Sequence, residues 1–337
     1  MIPQTIDVHA HLLVPEVDRL VAGNPLLEAA QALEARRNSA ESLANSRQMV
    51  IDRIDQLTRL DRRLADMDAA GVDMQVVSPS PTHYTYWADP ELASDISEAV
   101  NSAVAAHVRG APERLMGLGI APLRDPGLAA VVLSKAMEFH RLRGIMISSY
   151  APSRDLSDPA LEPLWDQCEA LGAVVFLHPY GCTLDERLNR YYLANIVGQP
   201  TENAVALSHL IFGGVLDRHP ALRIIAAHGG GYLPTYIGRS DHGWRVRPES
   251  HSSVDEPSSY LRRLWFDSLV HSPLVLRHLV ETVGADRVVL GSDYPFDMGT
   301  TDPVASLLEA GLGPDQTAAI RGGNAASLFG LVPTAQE

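Results

Sequence analysis

The chain has very little cysteine and almost no lysine. Of its 337 residues, only Cys168 and Cys182 are cysteines, and Lys135 is the only lysine. Two cysteines are too few for a disulfide framework or for a structural zinc site built from cysteine alone. A chain of this length buries about three quarters of the surface that its unfolded form exposes. It can therefore fold without such cross-links.

Basic residues and long apolar segments are also scarce. The chain has 27 basic and 41 acidic residues, which gives a formal net charge of −14. This charge argues against nonspecific binding to nucleic acid or to an anionic membrane, although a local group of arginines could still bind a small anion. The sequence has no run of about 20 apolar residues, and no signal-peptide pattern follows Met1. We therefore expect a cytoplasmic protein without a transmembrane helix.

Short apolar segments that alternate with helical patterns predict the fold. Eight of these segments are typical of strands buried on both faces, as in a parallel sheet. Eight strands with helices between them predict a (β/α)8 barrel, or TIM barrel. The alternative is a doubly wound open sheet, but no glycine-rich motif follows the first strand. The predicted strands are Thr5–Leu12, Val72–Pro79, Leu115–Ala121, Gly144–Ile147, Ala173–His178, Leu222–His228, Leu264–Val270 and Arg287–Asp293.

The connection between the first two predicted strands is far longer than the usual loop of a few residues. Residues 13–63 are charged and partly helical in pattern, and they show no strand signal. We predict one distorted barrel domain over residues 1–337, with a helical insertion at about 13–63 that caps the barrel mouth. TIM barrels bind their substrates at this mouth. The alternative is a surface insertion with no role there.

Histidine and aspartate side chains stand at the ends of several predicted strands. His9 and His11 are two residues apart in the first strand, so both side chains can face the same side. His178, His228 and Asp293 end the fifth, sixth and eighth strands. A TIM barrel gathers the C-terminal ends of its strands at one face. Imidazoles and a carboxylate suit zinc or a similar divalent ion, and we therefore predict a metal site there.

Two features bear on the number of metal ions and on further ligands. The fourth predicted strand ends in Ser148 and Ser149, whereas binuclear barrels often place a carbamylated lysine there. Lys135 lies upstream, in a helical segment. A mononuclear site is therefore favoured. His83 and His271 follow the second and seventh strands, so each could also reach the pocket.

Four short segments carry the metal-site residues and His228: DVHAH, FLHP, AHGGG and GSDYPF. In this order they resemble the amidohydrolase superfamily, and more narrowly its amidohydrolase-2 branch, a group of decarboxylases. The first motif reads H-x-H rather than E-x-H, which favours the semialdehyde decarboxylases over the aromatic-acid decarboxylases. The resemblance covers nearly the whole chain and implies a distorted barrel, one zinc ion and a homodimer. The matching segments are DVHAH, RLADMDAAGVDMQVVS (Arg63–Ser78), YWADPE (Tyr86–Glu91), FLHP, NIVGQPTE (Asn195–Glu202), AHGGG, GRSDHGWRVRPE (Gly238–Glu249) and GSDYPF.

The resemblance also implies roles for individual residues at the metal site. The family's metal ligands match His9, His11, His178 and Asp293, and its proton-transfer histidine matches His228. Asp293 is a candidate catalytic residue as well as a ligand.

The candidate substrate contacts follow from the same resemblance. Arg239 matches the arginine that binds the substrate carboxylate from the neighbouring subunit. A second family arginine lies in the insertion, where Arg47 and Arg53 are both candidates. Tyr180, in HPYGC, replaces the usual tryptophan of HPWD, and Trp87 lies in the matched YWADPE segment. The altered run after the fifth strand implies a different pocket.

These features predict a metal-dependent nonoxidative decarboxylase of a small unsaturated or aromatic carboxylic acid. A divalent ion lowers the pKa of a bound water towards about 7, and His228 can hold that water and transfer its proton. The altered pocket favours an alternative, a hydrolase of a C–C, ester or amide bond on a similar anionic substrate. A noncatalytic metal-binding protein is disfavoured because the proton-transfer histidine is present.

Overall fold

The computed structural model describes residues 3–331 and contains eight parallel strands in the predicted places. Each strand lies within its predicted range, although most are shorter because the ladder hydrogen bonds end before the apolar run does. The barrel strands are β1 (Ile6–Leu12), β2 (Met74–Pro79), β3 (Leu115–Gly117 and Gly119–Ile120), β4 (Gly144–Ile147), β5 (Val174–Leu177), β6 (Arg223–Ala226), β7 (Trp265–Asp267) and β8 (Val288–Val289).

The strands follow one another around the barrel in chain order. The first part of β3 pairs with β2 and the second part with β4, so this strand links a three-stranded and a six-stranded sheet. On the other side, Val8 N donates to Leu290 O at 2.9 Å, and His11 N donates to Tyr294 O at 2.7 Å. These bonds join β1 to the segment after β8. The predicted distorted (β/α)8 barrel is confirmed, and the open doubly wound sheet is not what forms.

Several helices of the barrel begin where a capping residue precedes a proline. The Asp89 and Asp125 side chains each accept a hydrogen bond from a backbone N–H of the first turn, and a proline follows each of them. Such residues satisfy free N–H groups, and proline has the helical φ already. Within residues 3–331, no helix combines the length and apolarity needed to cross a membrane. The helices after β2 are α6 (Pro90–Arg109), α7 (Pro126–Glu138), α8 (Glu162–Leu171), α9 (Gln199–Phe212), α10 (Val215–Arg218), α11 (Leu233–Val246), α12 (Pro273–Val283), α13 (Pro303–Glu309), α14 (Pro314–Ala318) and α15 (Asn324–Leu328).

The long connection between β1 and β2 is helical, as predicted. The second helix of this connection, α2 (Pro25–Arg37), buries none of its residues. Its Arg36 Nη2 lies 2.6 Å from Asp185 Oδ2, in the loop after β5. From the end of α3, Arg53 Nη1 donates to Pro295 O, in the loop after β8, at 3.1 Å. The insertion therefore contacts two loops at the mouth of the barrel. Its helices are α1 (Glu16–Val21), α2 (Pro25–Arg37), α3 (Ala40–Asp52), α4 (Ile54–Thr58) and α5 (Leu60–Ala69).

Candidate active site

Four predicted metal-binding side chains converge at the mouth end of the barrel. His9 and His11 lie on β1, His178 directly follows β5, and Asp293 lies in the loop after β8. All four are buried, and one possible ligand atom from each lies within 4.8 Å of the others. Asp293 Oδ1 is 3.2 Å from His9 Nε2 and 3.1 Å from His11 Nε2. Residues 3–331 contain one such group.

A β-bulge in β1 sets the direction of the two histidines. Asp7 is opposite Gln75 on β2, but Ala10 is opposite Val77, so β1 has one more residue than β2 in this stretch. A bulge reorients side chains and leaves a backbone group unpaired. Here His9 N donates to Asp7 Oδ1 at 3.1 Å. His9 lies within this bulge, and His11 follows it.

Each of the three histidines is oriented by a hydrogen bond at its outer ring nitrogen. An acceptor beside Nδ1 keeps the proton on that atom and leaves the lone pair on Nε2. The Nε2 atoms are therefore the ones available to a metal. The three pairs are His9 Nδ1 with Asp267 Oδ2 at 2.7 Å, His11 Nδ1 with Pro79 O at 3.0 Å, and His178 Nδ1 with Pro179 O at 3.0 Å.

The inner atoms of this cluster fit a divalent cation. His178 Nε2 and Asp293 Oδ1 are buried without a hydrogen-bond partner, which is rare for buried polar atoms. His9 Nε2 and His11 Nε2 are 3.1 Å apart, so their lone pairs repel unless a cation or a proton lies between them. Burial opposes a charge on His9, but Asp293 and Asp267 outweigh it and raise the pKa of His9 to about 10. Burial instead lowers the pKa of His11 and His178, so these two imidazoles stay neutral, as metal ligands must be. Three imidazoles with one carboxylate can hold a divalent metal ion.

His228 stands beside the four ligands rather than among them. Its side chain is 17% exposed, whereas that of Asp293 is 6% exposed, and its Nε2 lies 3.9 Å from Asp293 Oδ2. Its ring centroid is 4.9 Å from that of His178. A histidine next to the cluster and partly open to solvent remains a candidate for proton transfer.

The glycines after His228 are required by the backbone. Gly229 has a φ of +60°, and a Cβ on Gly231 would lie 2.0 Å from Pro200 O. A side chain at Gly231 would therefore displace the start of α9. The AHGGG motif keeps His228 in a tight turn directly after β6.

Asp267, at the end of β7, is a functional residue that the sequence analysis missed. It is fully buried, and besides His9 it binds the backbone, because its Oδ1 accepts from Gly229 N at 2.9 Å and Leu269 N at 3.2 Å. Burial alone would raise the pKa of Asp267, but the hydrogen bond and charge of His9 hold it below its ordinary value. The sequence signal that could have indicated Asp267 is a single aspartate inside the apolar strand Leu264–Val270.

The serines at the end of β4 bind the loop that follows β5 and the helix α9. Ser148 Oγ accepts from Tyr180 N at 3.3 Å, and Ser149 Oγ donates to Glu202 Oε2 at 3.2 Å. Lys135 lies on α7, where its Nζ is 3.1 Å from Glu98 Oε2. The residues at the end of β4 thus support the loop after His178 and offer no lysine that could bridge two metals.

The aromatic candidates for substrate binding occupy different surroundings. Tyr180 is partly buried under the insertion, where burial and the adjacent Glu34 carboxylate raise the pKa of its phenol. Trp87 is also partly buried and packs against the same apolar cluster as Tyr180, and its carbonyl accepts from Arg124 Nη1 at 3.1 Å. Tyr180 is two residues from the metal-site residue His178, whereas Trp87 lies in the connection between β2 and α6.

The candidate arginines do not converge within the chain. Among the residues that the structure describes, neither Arg239 on α11 nor Arg47 on α3 makes a hydrogen bond or an ion pair, and both are exposed. Arg53 is half-buried, and its Nη1 donates to Pro295 O. Two other insertion arginines contact the loop after β5, because Arg36 Nη2 lies 2.6 Å and Arg37 Nε 3.2 Å from the Asp185 carboxylate.

The two additional histidines do not join the metal-binding group. His83 Nε2 accepts a hydrogen bond from Val14 N at 2.9 Å and so supports the start of the insertion. His271 is exposed.

The barrel and its histidine–aspartate cluster define the class as metal-dependent barrel enzymes. The family model described as amidohydrolase matches residues 6–331. The chain therefore belongs to the amidohydrolase family.

Similar proteins are named as decarboxylases. The 2-amino-3-carboxymuconate-6-semialdehyde decarboxylase of Dictyostelium discoideum is 38% identical over 277 residues, which cover 81% of this chain and 77% of that protein. The 5-carboxyvanillate decarboxylase of Sphingomonas paucimobilis has a TM-score of 0.83 and 26% identity, with 96% of this chain and 98% of the other covered. A dihydroxybenzoic acid decarboxylase from Polaromonas, solved with bound manganese, has a TM-score of 0.79 at 23% identity, with 97% of each chain covered.

Proposed function

We propose that this chain is a metal-dependent decarboxylase that releases CO2, without a redox step, from a small unsaturated or aromatic carboxylic acid. The observation that carries the proposal is the convergence of three Nε2 atoms and one carboxylate beside a partly exposed His228. The similar proteins described above, which span most of this chain, support the reaction type.

The metal-site residues and His228 divide the chemistry between them. When bound, the divalent ion would supply a Lewis acid for substrate oxygen atoms and stabilise negative charge on them. His9, His11, His178 and Asp293 hold that ion. His228 delivers a proton from Nε2 to the carbon that bears the carboxylate. The bond from that carbon to the carboxylate then breaks, CO2 leaves, and the electron pair restores the conjugated system.

CO2 release across a panel of acids tests this proposal. The panel contains 5-carboxyvanillate, a dihydroxybenzoic acid and 2-amino-3-carboxymuconate-6-semialdehyde, and each is assayed with metal-loaded and chelator-treated protein. We expect metal-dependent CO2 release from at least one acid. A metal-dependent product without CO2 would favour the hydrolase, for which the replacement of the usual tryptophan by Tyr180 is the supporting observation.

Zinc is the metal that we propose for this site. Three nitrogen ligands and one carboxylate are typical of zinc, although the similar Polaromonas structure holds manganese. Elemental analysis of protein purified without added metal tests the identity of the metal, and manganese at full occupancy would contradict zinc.

A cytoplasmic location stays a prediction from the sequence.

We also propose a homodimer in which Arg239 completes the pocket of the partner subunit. Arg239 is exposed and unpaired within residues 3–331, and Tyr232 and Tyr236 on the same helix region are 46% and 69% exposed. Tyrosine and arginine are enriched in protein interfaces. In a chain with net charge −14, a local arginine is also needed to bind an anionic substrate through its planar fork.

Complementation between two inactive variants tests the shared pocket. Arg239→Ala and His228→Ala subunits are mixed and allowed to exchange, with exchange verified by mass labelling. If Arg239 acts across the interface, a mixed dimer has one intact pocket, and activity partly returns. If each pocket uses its own Arg239, both pockets stay defective, and the absence of recovery would rule out the shared site.

A further inference from the structure

Three polar residues form a buried chain between the barrel and α5, outside the metal-binding cluster. Arg63 on α5, Gln75 on β2 and Asp7 on β1 are each at most 2% exposed. Arg63 Nη1 donates to Gln75 Oε1 at 2.6 Å, and Gln75 Nε2 donates to Asp7 Oδ2 at 2.9 Å. The neutral amide therefore links a buried cation to a buried anion.

The Asp7 end of this chain binds the backbone beside two metal ligands. Asp7 Oδ1 accepts from the bulge amide of His9 at 3.1 Å and from Ser292 N at 3.0 Å. Asp7 Oδ2 accepts from Ser292 Oγ at 2.6 Å. Ser292 directly precedes Asp293, so one carboxylate ties the backbone of β1 to the loop after β8.

The Arg63 end binds the backbone of a third ligand. Arg63 Nη2 donates to His11 O at 2.5 Å, and its Nε donates to His107 Nε2 at 3.1 Å. The guanidinium also lies over the Tyr294 ring, 5.0 Å from its centroid. The chain of three side chains thus contacts His9, His11 and the residue before Asp293.

Stability alone is a poor explanation for this arrangement. Arg63 is fully buried, and the transfer of a guanidinium from water to the protein interior costs free energy. The two charges meet through an amide and not as a direct ion pair, and apolar replacements of buried ionic groups are often neutral or stabilising. A polar chain that ends on the backbone of His9, of His11 and of the residue before Asp293 fixes the positions of these ligands instead.

We propose that Arg63, Gln75 and Asp7 are positioning residues that hold the bulge of β1 and the loop after β8 in the geometry for metal binding. They act through His9, His11 and Asp293 and do not touch the metal themselves. This inference rests on the proposed function, because it assumes that these three residues are metal ligands.

Metal affinity and the spectrum of a bound cobalt ion test the inference. Arg63→Lys keeps the charge but removes the planar fork that reaches both Gln75 and His11. Arg114→Lys is the matched control, since Arg114 binds Val72 O and Asp73 O just before β2 and makes no hydrogen bond to a metal-binding residue or to Ser292. We expect Arg63→Lys to bind metal about 10–100-fold more weakly and to shift the cobalt absorption bands. Arg114→Lys should change neither.

Milder variants keep the test decisive if Arg63→Lys does not fold. Asp7→Asn preserves the shape. Ser292→Ala leaves both buried charges in place and removes the bond from the hydroxyl to Asp7, together with the bond that this hydroxyl accepts from Tyr294 N. A folded variant with the affinity and cobalt spectrum of the unchanged protein would overturn the inference, even if its unfolding midpoint is lower. If the unchanged protein itself binds no divalent metal, the proposed function fails first and the inference fails with it.

Discussion

Asp267→Asn is the substitution that most directly isolates the orientation of a metal ligand. The Asp267 carboxylate accepts from His9 Nδ1 at 2.7 Å and so leaves the lone pair of His9 on Nε2. Asparagine has the same shape, and its oxygen can still accept from Gly229 N and Leu269 N. Its amide nitrogen, however, is a donor and would face His9 Nδ1. The proton of His9 would then sit on Nε2, where it blocks coordination.

The expected loss follows from this change of tautomer. Removal of a carboxylate that orients a metal-binding histidine weakens binding by about 10–100-fold. This factor corresponds to about 1.4–2.7 kcal/mol. Asp267 is fully buried, so solvent cannot replace the lost acceptor. We therefore expect the upper part of this range, with the fold retained because the two backbone hydrogen bonds remain.

Competition with a chelator measures the metal dissociation constant of the variant and of a matched control. Asp241→Asn is that control, since Asp241 is buried on α11, accepts from Ser258 N at 2.8 Å and makes no hydrogen bond to the metal-binding residues. We expect its dissociation constant to be unchanged. An unchanged constant in folded Asp267→Asn would refute the role of the carboxylate.

Three further predictions follow from the same geometry. His178→Ala should abolish activity and lower metal content, and full occupancy with normal turnover would remove His178 from the ligand set. His228→Ala should keep its metal but lose about 10²–10⁴-fold in kcat, whereas His271→Ala, at an exposed histidine, should not; activity loss that tracks metal loss would make His228 a ligand. Burial lowers the pKa of His83 to about 4, below the value near 6.5 of an unfolded chain. Between these values only the unfolded chain takes up the proton, so stability present above about pH 6.5 is lost towards pH 4, by up to about 3 kcal/mol. Denaturant unfolding of metal-free His83→Gln should show a flatter pH dependence, and identical profiles would contradict this origin.

The sequence was sufficient to predict the barrel because each strand carries its own apolar signal. The same strands also display the ligands, since His178 and Asp293 stand at the ends of apolar runs. The strand β8 contains only two ladder residues, although the apolar run is longer. The outline of the fold is therefore encoded locally, but the length of each ladder depends on its neighbours.

Features that depend on contacts between distant segments were not predictable. The bulge of β1 arises from its pairing with β2, and the sequence of one strand alone does not predict how that strand pairs with another. Asp267 becomes functional only because β7 places it beside His9, which is 258 residues away in the chain. Likewise, the resemblance pointed to Arg47 or Arg53 in the insertion, whereas the structure brings Arg36 and Arg37 to the loop after β5.

The fate of the carboxylate carbon in heavy water tests the central claim most directly. Metal-loaded protein is incubated in D2O with the acid that gives the strongest signal in the panel, and both products are analysed by mass spectrometry. The account predicts equal amounts of CO2 and of a product with deuterium at the carbon that lost the carboxylate, and both should disappear after metal removal. A product that has gained solvent oxygen without CO2, or CO2 release that persists in metal-free protein, would contradict it.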